Sequence, residues 1–137
     1  MSIQDKIVYT KSFNTLFLRF IDYVLQYLPE TDYKKEVKTA RTYFEWLKNV
    51  NPSLIIKVWY YQVYMPYKNE INSQNTISFM LKKDYQKDVA DLGNAKDIIQ
   101  IINHLKGPLE SMNKSQQDQI MDYLQKLSAL SESYSMI

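Results

Sequence analysis

The chain has no cysteine, one histidine and two glycines among its 137 residues, and each scarcity removes a class of chemistry. Without cysteine there is no disulfide framework, no thiolate nucleophile and no Cys-based zinc site, a composition that fits a reducing compartment. Gly93 and Gly107 stand alone, so neither a phosphate-cradling loop nor a dinucleotide fingerprint can be written anywhere in the sequence. A Ser-His-Asp relay needs a histidine, and the sole candidate, His104, lies late in an Ile-rich stretch with no glycine-flanked serine elbow elsewhere. A histidine placed favourably against a helix dipole is the simpler account of it. Long apolar runs are also missing. The longest, Leu54 to Tyr67, is interrupted by Lys57, Gln62 and Pro66, and it falls short of the roughly 18 to 20 residues that a membrane span needs. The opening "MSIQDKIVYTKSF" alternates charges with apolar residues and lacks the continuous apolar core of a secretory signal, so the mature chain is expected to start there. These absences together predict a soluble, intracellular protein with no membrane span.

What is present is a globular composition, 45% hydrophobic and 23% charged, rich in Tyr, Lys, Asn and Ile. Its length suits one domain with a core of ordinary size. Residues 1–130 are expected to form that domain, with 131–137, "SESYSMI", as a frayed tail.

Helical periodicity dominates. Phe13, Leu16, Phe17, Phe20, Ile21, Val24 and Leu28 recur at the spacing of one helical face. That helix can begin as early as Ile3, with Ser2 as its cap, and should end before Pro29. A second helix starts near Thr31 or Asp32 and turns Tyr33, Val37, Ala40, Phe44 and Leu47 inward. In "NPSL", Asn51 can cap a third helix and Pro52 suits its first position. This helix, from Pro52 to about Met65, places Ile55, Trp59 and Val63 on one face and is apolar nearly all round, which predicts a central, buried position. Pro66 should end or kink it, leaving "NEINSQN" as a loop or short turn. Gly93 caps "KKDYQKDVADLGN", "AKDIIQIINHLKGP" follows with helical spacing, and Asn113 or Ser115 opens a last helix to about Glu132 that buries Ile120, Leu124, Leu127 and Leu130. The prediction is an all-α protein, a compact bundle of five or six helices with short antiparallel connections.

Three features invite chemistry. Asp84, Asp88 and Asp91 would form an acidic row on a helix, but oxygen-only metal sites need more convergent ligands, and Lys83 and Lys87 suggest a solvated face. The sequon Asn113-Lys114-Ser115 carries no weight in an intracellular chain. Charge is less evenly spread than the net +2 suggests: Tyr33 to Lys87 holds ten basic against four acidic residues, +6, whereas Gly107 onward is −2. Lys34, Lys38, Arg41 and Lys48 share one stripe of the second helix, and Lys82 and Lys83 add a basic pair. Such a stripe can contact phosphates, with exposed rings stacking on bases; in a Lys-rich chain a solvated face is the simpler account of it. Of the five rings in "KVWYYQVYMPYKNE", Tyr61, Tyr64 and Tyr67 are expected to reach the surface.

"FNTLFLRFIDYVLQYLPETDY", "NPSLIIKVWYYQVYMPYKNEI" and "ISFMLKKDYQKDV", in that order, resemble a group of small helical proteins of nucleocytoplasmic large DNA viruses that has no assigned activity. The resemblance covers most of the chain and implies a setting, the cytoplasm of an infected host cell and the virion, without implying functional residues. Two functions follow as expectations. The first is a non-enzymatic helical interaction or structural protein working through protein-protein contacts or self-association; abundant aromatics favour it. The second is a nucleic-acid-binding accessory protein using the basic stripe. An enzyme would need polar groups converging in a pocket, and no such set, no cofactor and no small-molecule substrate can be identified.

Overall fold

The computed structural model describes residues 3–72 and 112–137, and these residues are helical with no strand among them. Helix α1 spans Ile3–Tyr27 and α2 spans Asp32–Val50. Helix α3, Leu54–Val58, continues through a π-helical segment, Trp59–Tyr64, into α4, Met65–Asn72. Helix α5 runs from Lys114 to Ser135.

Thr31 opens α2 as the sequence predicts: its backbone is extended and its hydroxyl accepts from the Lys34 N–H at 3.4 Å. Asn113 opens α5 with a full capping box. Its side chain accepts from the Gln116 N–H at 2.8 Å, and the Gln116 side chain accepts from the Asn113 N–H at 3.1 Å. The expected cap at Asn51 is different. Asn51 closes α2, its N–H donating to the Leu47 carbonyl at 2.8 Å, and Ser53 precedes α3 without a side-chain cap.

Pro66 does not end the third helical stretch; the chain stays helical to Asn72, taking a non-helical conformation only at Tyr67 (φ −122°, ψ 19°). A proline ring collides with the carbonyl one turn back, here that of Gln62. The wider π turns just before it, marked by the Met65 N–H bonding the Tyr60 carbonyl, relieve the collision, and the residual bend falls at Tyr67. Asn69 to Asn72, expected in a loop, are therefore helical.

The C-terminal residues depart from expectation as well. Helix α5 extends to Ser135, and Ser131 is fully buried. Its hydroxyl donates to the Ser128 carbonyl at 2.8 Å. Small side chains on the inner stripe let α5 approach the core closely, so the segment from 131 is packed helix.

Packing follows the apolar stripes. Helices α1 and α2 are antiparallel, with Phe17 meeting Phe44 edge-on at 5.0 Å and Asp22 meeting Arg41. Helices α1 and α5 are antiparallel too: Tyr23 lies by Gln116, Phe20 by Tyr123, and the Lys6 ammonium over the Tyr134 ring. Trp59 sits at the centre, fully buried, with Phe13 and Phe17 edge-on to it at 6.0 and 6.1 Å. Its indole N–H donates to the Ser128 hydroxyl at 3.0 Å, which joins the π segment to α5. Such ring pairs contribute about 0.5–1.5 kcal/mol each beyond the area they bury. Ile55 and Val63 share the inner face with Trp59, as the sequence predicts. Beyond Tyr67, α4 lies along α5, where Gln125 donates to the Ile71 carbonyl at 3.0 Å.

Candidate interaction surface

Two of the four cations on the basic stripe of α2, Lys34 and Arg41, are engaged within the protein. The Lys34 ammonium meets Glu30 at 2.7 Å, which holds that carboxyl below the usual carboxylate range. Arg41 forms a fork: its Nε and Nη2 donate to the two Asp22 oxygens at 2.5 and 3.1 Å, and its Nη1 donates to Glu45 at 2.9 Å. The bond to Asp22 is the main cause of a raised guanidinium pKa. Arg41 thus ties α2 to α1 and does not stand free to meet a phosphate. Lys38 is exposed and Lys48 half-buried, and neither forms an ion pair among the described residues. Lys82 and Lys83 lie outside the described residues, as do the Asp84, Asp88 and Asp91 row and His104.

Of the three tyrosines expected at the surface, only Tyr61 is there, 64% exposed. Tyr64 and Tyr67 are buried. The π register explains Tyr64: residues i and i+5 approach one face, so Tyr64 follows Trp59 inward. Its hydroxyl donates to the Glu132 carboxylate and accepts from the Asn72 amide at 3.1 Å. The carboxylate bond, followed by burial, raises the phenol pKa. Tyr67 turns inward at the bend that follows Pro66.

What periodicity did not single out is the outer face of α2. Tyr43, Trp46 and Val50, at i, i+3 and i+7, are 47%, 56% and 56% exposed. They stand on one stripe, with the two rings 5.9 Å apart. The opposite stripe, Val37, Phe44 and Leu47, is buried in the core. Alternation of core and exposed rings, Tyr43 beside Phe44 and Trp46 beside Leu47, was the available signal. A helix of this length needs only one apolar stripe to pack, and the second is not used in packing the described residues.

Among the described residues no three His, Asp or Glu side chains converge as a metal site would require, and no helix is long and apolar enough to cross a membrane. No protein-family model, curated protein or solved structure matches the chain.

Proposed function

We propose that the protein is a non-enzymatic helical interaction protein that binds a protein partner through the outer face of α2. The observation that carries this is the open stripe of Tyr43, Trp46 and Val50 on a helix whose other stripe already packs the core. Aromatic side chains are the ones enriched at the centres of protein interfaces, where a tryptophan in a desolvated pocket commonly dominates the binding energy. A nucleic-acid role through the basic stripe has less support, because Lys34 and Arg41 are held by carboxylates of α1, the α1–α2 turn and α2 itself. The proposed setting is an infected-cell or virion context, which rests on the resemblance of the helical stretches to large DNA virus proteins; mass spectrometry of purified particles tests it.

A photo-crosslinking residue at Trp46, compared with one at Asp118 on α5, tests the surface. The expected result is a discrete protein adduct from Trp46 alone, followed by binding of that purified protein that Trp46→Ala abolishes. Crosslinking to nucleic acid, equal yields from both positions, or a purified protein that binds Trp46→Ala as well as the native chain would overturn it. Analytical ultracentrifugation separates self-association from a different partner.

A further inference from the structure

Three phenols from two helices meet at the end of α1. Tyr23 and Tyr27, one helical turn apart, have ring centroids separated by 5.0 Å and planes tilted by 54°. Tyr123 of α5 adds a third ring, 5.6 Å from that of Tyr23. Centroids this close put the rings in van der Waals contact, which leaves no room for a cation or small molecule between them. What the cluster offers is ring-to-ring chemistry.

The hydroxyl ends converge as well. Tyr23 donates to the Gln116 carbonyl at 3.5 Å, and the Gln116 side-chain amide donates to the Tyr27 hydroxyl at 3.4 Å. Both bonds are long for their type, so Gln116 gathers the two phenol ends without gripping either. Tyr27 is also a hydrogen-bond partner of Tyr23. Two touching rings whose hydroxyls meet bring together the carbons beside those hydroxyls, where a phenoxyl radical carries much of its unpaired spin. Burial, with the Tyr27 hydroxyl, pushes the Tyr23 phenol up to about 12, so at neutral pH its electron and proton leave together. Tyr23 and Tyr27 are both half-buried, within reach of the water that accepts the protons. The other close tyrosines are arranged differently. Tyr60 and Tyr61 meet edge to face at 81°, and the Tyr64 hydroxyl is turned to Glu132 and Asn72.

We propose that Tyr23 and Tyr27 are an oxidative modification site, at which a one-electron oxidant of the haem peroxidase class, acting with hydrogen peroxide, joins the two rings by a carbon–carbon bond. Each phenol loses one electron and one proton, and together these reduce one hydrogen peroxide to two waters. The two phenoxyl radicals pair between carbons ortho to the hydroxyls. The hydrogens on those carbons then shift to the oxygens, which restores both phenols in a dityrosine. An oxidising equivalent that first reaches Tyr123 passes to Tyr23 through the ring contact. In a chain with no cysteine, the bond is a covalent staple across the last turn of α1, where Gln116 docks.

The test treats the full chain with a haem peroxidase and limiting hydrogen peroxide, then digests it with trypsin. The peptide from Phe20 to Lys34 is expected to be two hydrogens lighter, with no mass-spectrometric fragmentation between Tyr23 and Tyr27. The monomer band on a denaturing gel should carry dityrosine fluorescence. Holding the rings together raises their effective concentration, so the yield of this linkage should exceed that from the urea-unfolded chain by about tenfold. Tyr27→Phe is expected to remove the linkage and Tyr61→Phe to keep it, with folding of both variants checked by circular dichroism. Coupling only between copies, equal yield from the unfolded chain, a linkage at another tyrosine pair, or no dityrosine overturns the site. Should Tyr27→Phe fail to fold, the fragment map of the native chain decides alone.

Discussion

Trp59 lies wholly inside the bundle with its indole N–H bonded to Ser128, and Trp46 stands on the outer face of α2 with more than half its surface in water. Both belong to helices that pack against α1, and both have an aromatic neighbour within about 6 Å, Phe13 and Phe17 for the first, Tyr43 for the second. The difference is in what surrounds the ring pairs. Around Trp59, three elements converge and every polar atom of the ring has a partner. Around Trp46, one helix supplies a single stripe, and nothing among the described residues closes over it. The same side chain therefore serves stability in one place and is available for recognition in the other.

The largest blow to that contrast is Trp59→Ala, expected to cost about 3–5 kcal/mol in denaturant unfolding, because the centre of the bundle cannot collapse around the void. That is a large share of the roughly 5–15 kcal/mol holding a domain of this kind. A cost below 1 kcal/mol would mean Trp59 is not the keystone of the packing. Ser128→Ala is next, at about 1–3 kcal/mol, since it strands a buried indole N–H; adding Trp59→Phe removes the stranded donor, and the double variant should fall short of the sum.

Tyrosine ionisation extends the comparison to pH. Burial, with the neighbouring Tyr27 hydroxyl, pushes the Tyr23 phenol up to about 12 from an ordinary 10.0. A raised folded-state value means that this contribution to stability is fully present below pH 10 and is lost as pH climbs from 10 through 12. Spectrophotometric titration should show a phenol ionising near pH 12 that Tyr23→Phe removes, and the same variant should flatten part of the alkaline fall in stability. The smallest effect on folding is expected from Trp46→Ala, within about 0.5 kcal/mol of the native chain. A cost comparable to that of Trp59→Ala would show that the outer ring supports the fold and would remove it as a recognition residue.

Much of this architecture was legible in the residues. The α1 stripe from Phe13 to Leu28, the Thr31 cap and the buried Ile120, Leu124 and Leu127 of α5 follow from spacing and capping chemistry alone. The π segment was not legible, because a one-residue change of hydrogen-bond register leaves no mark in a sequence that is apolar on nearly every side. Tyr64 was misplaced for that reason, and Tyr67 because the chain stays helical past Pro66 and bends at Tyr67 itself. The burial of Ser128 and Ser131 depends on an indole donor and a close helix approach that only the assembled fold supplies. In the stripe on α2, spacing grouped Lys34 with Arg41 correctly, but their acidic partners Glu30 and Asp22 lie in other segments, where periodicity within one helix does not reach.

The pairing of α1 with α5 brings together residues about ninety positions apart, as in the bond from the Tyr23 hydroxyl to the Gln116 carbonyl. Closing so long a loop is entropically slow, and a fold built on such distant partners gathers speed late. During synthesis, the side of α1 that bears Phe20 and Tyr23 waits for residues 114–135 to supply the Tyr123 ring and the Gln116 carbonyl that meet it. Quality-control machinery that grips exposed apolar helices has its longest opportunity at that side of α1.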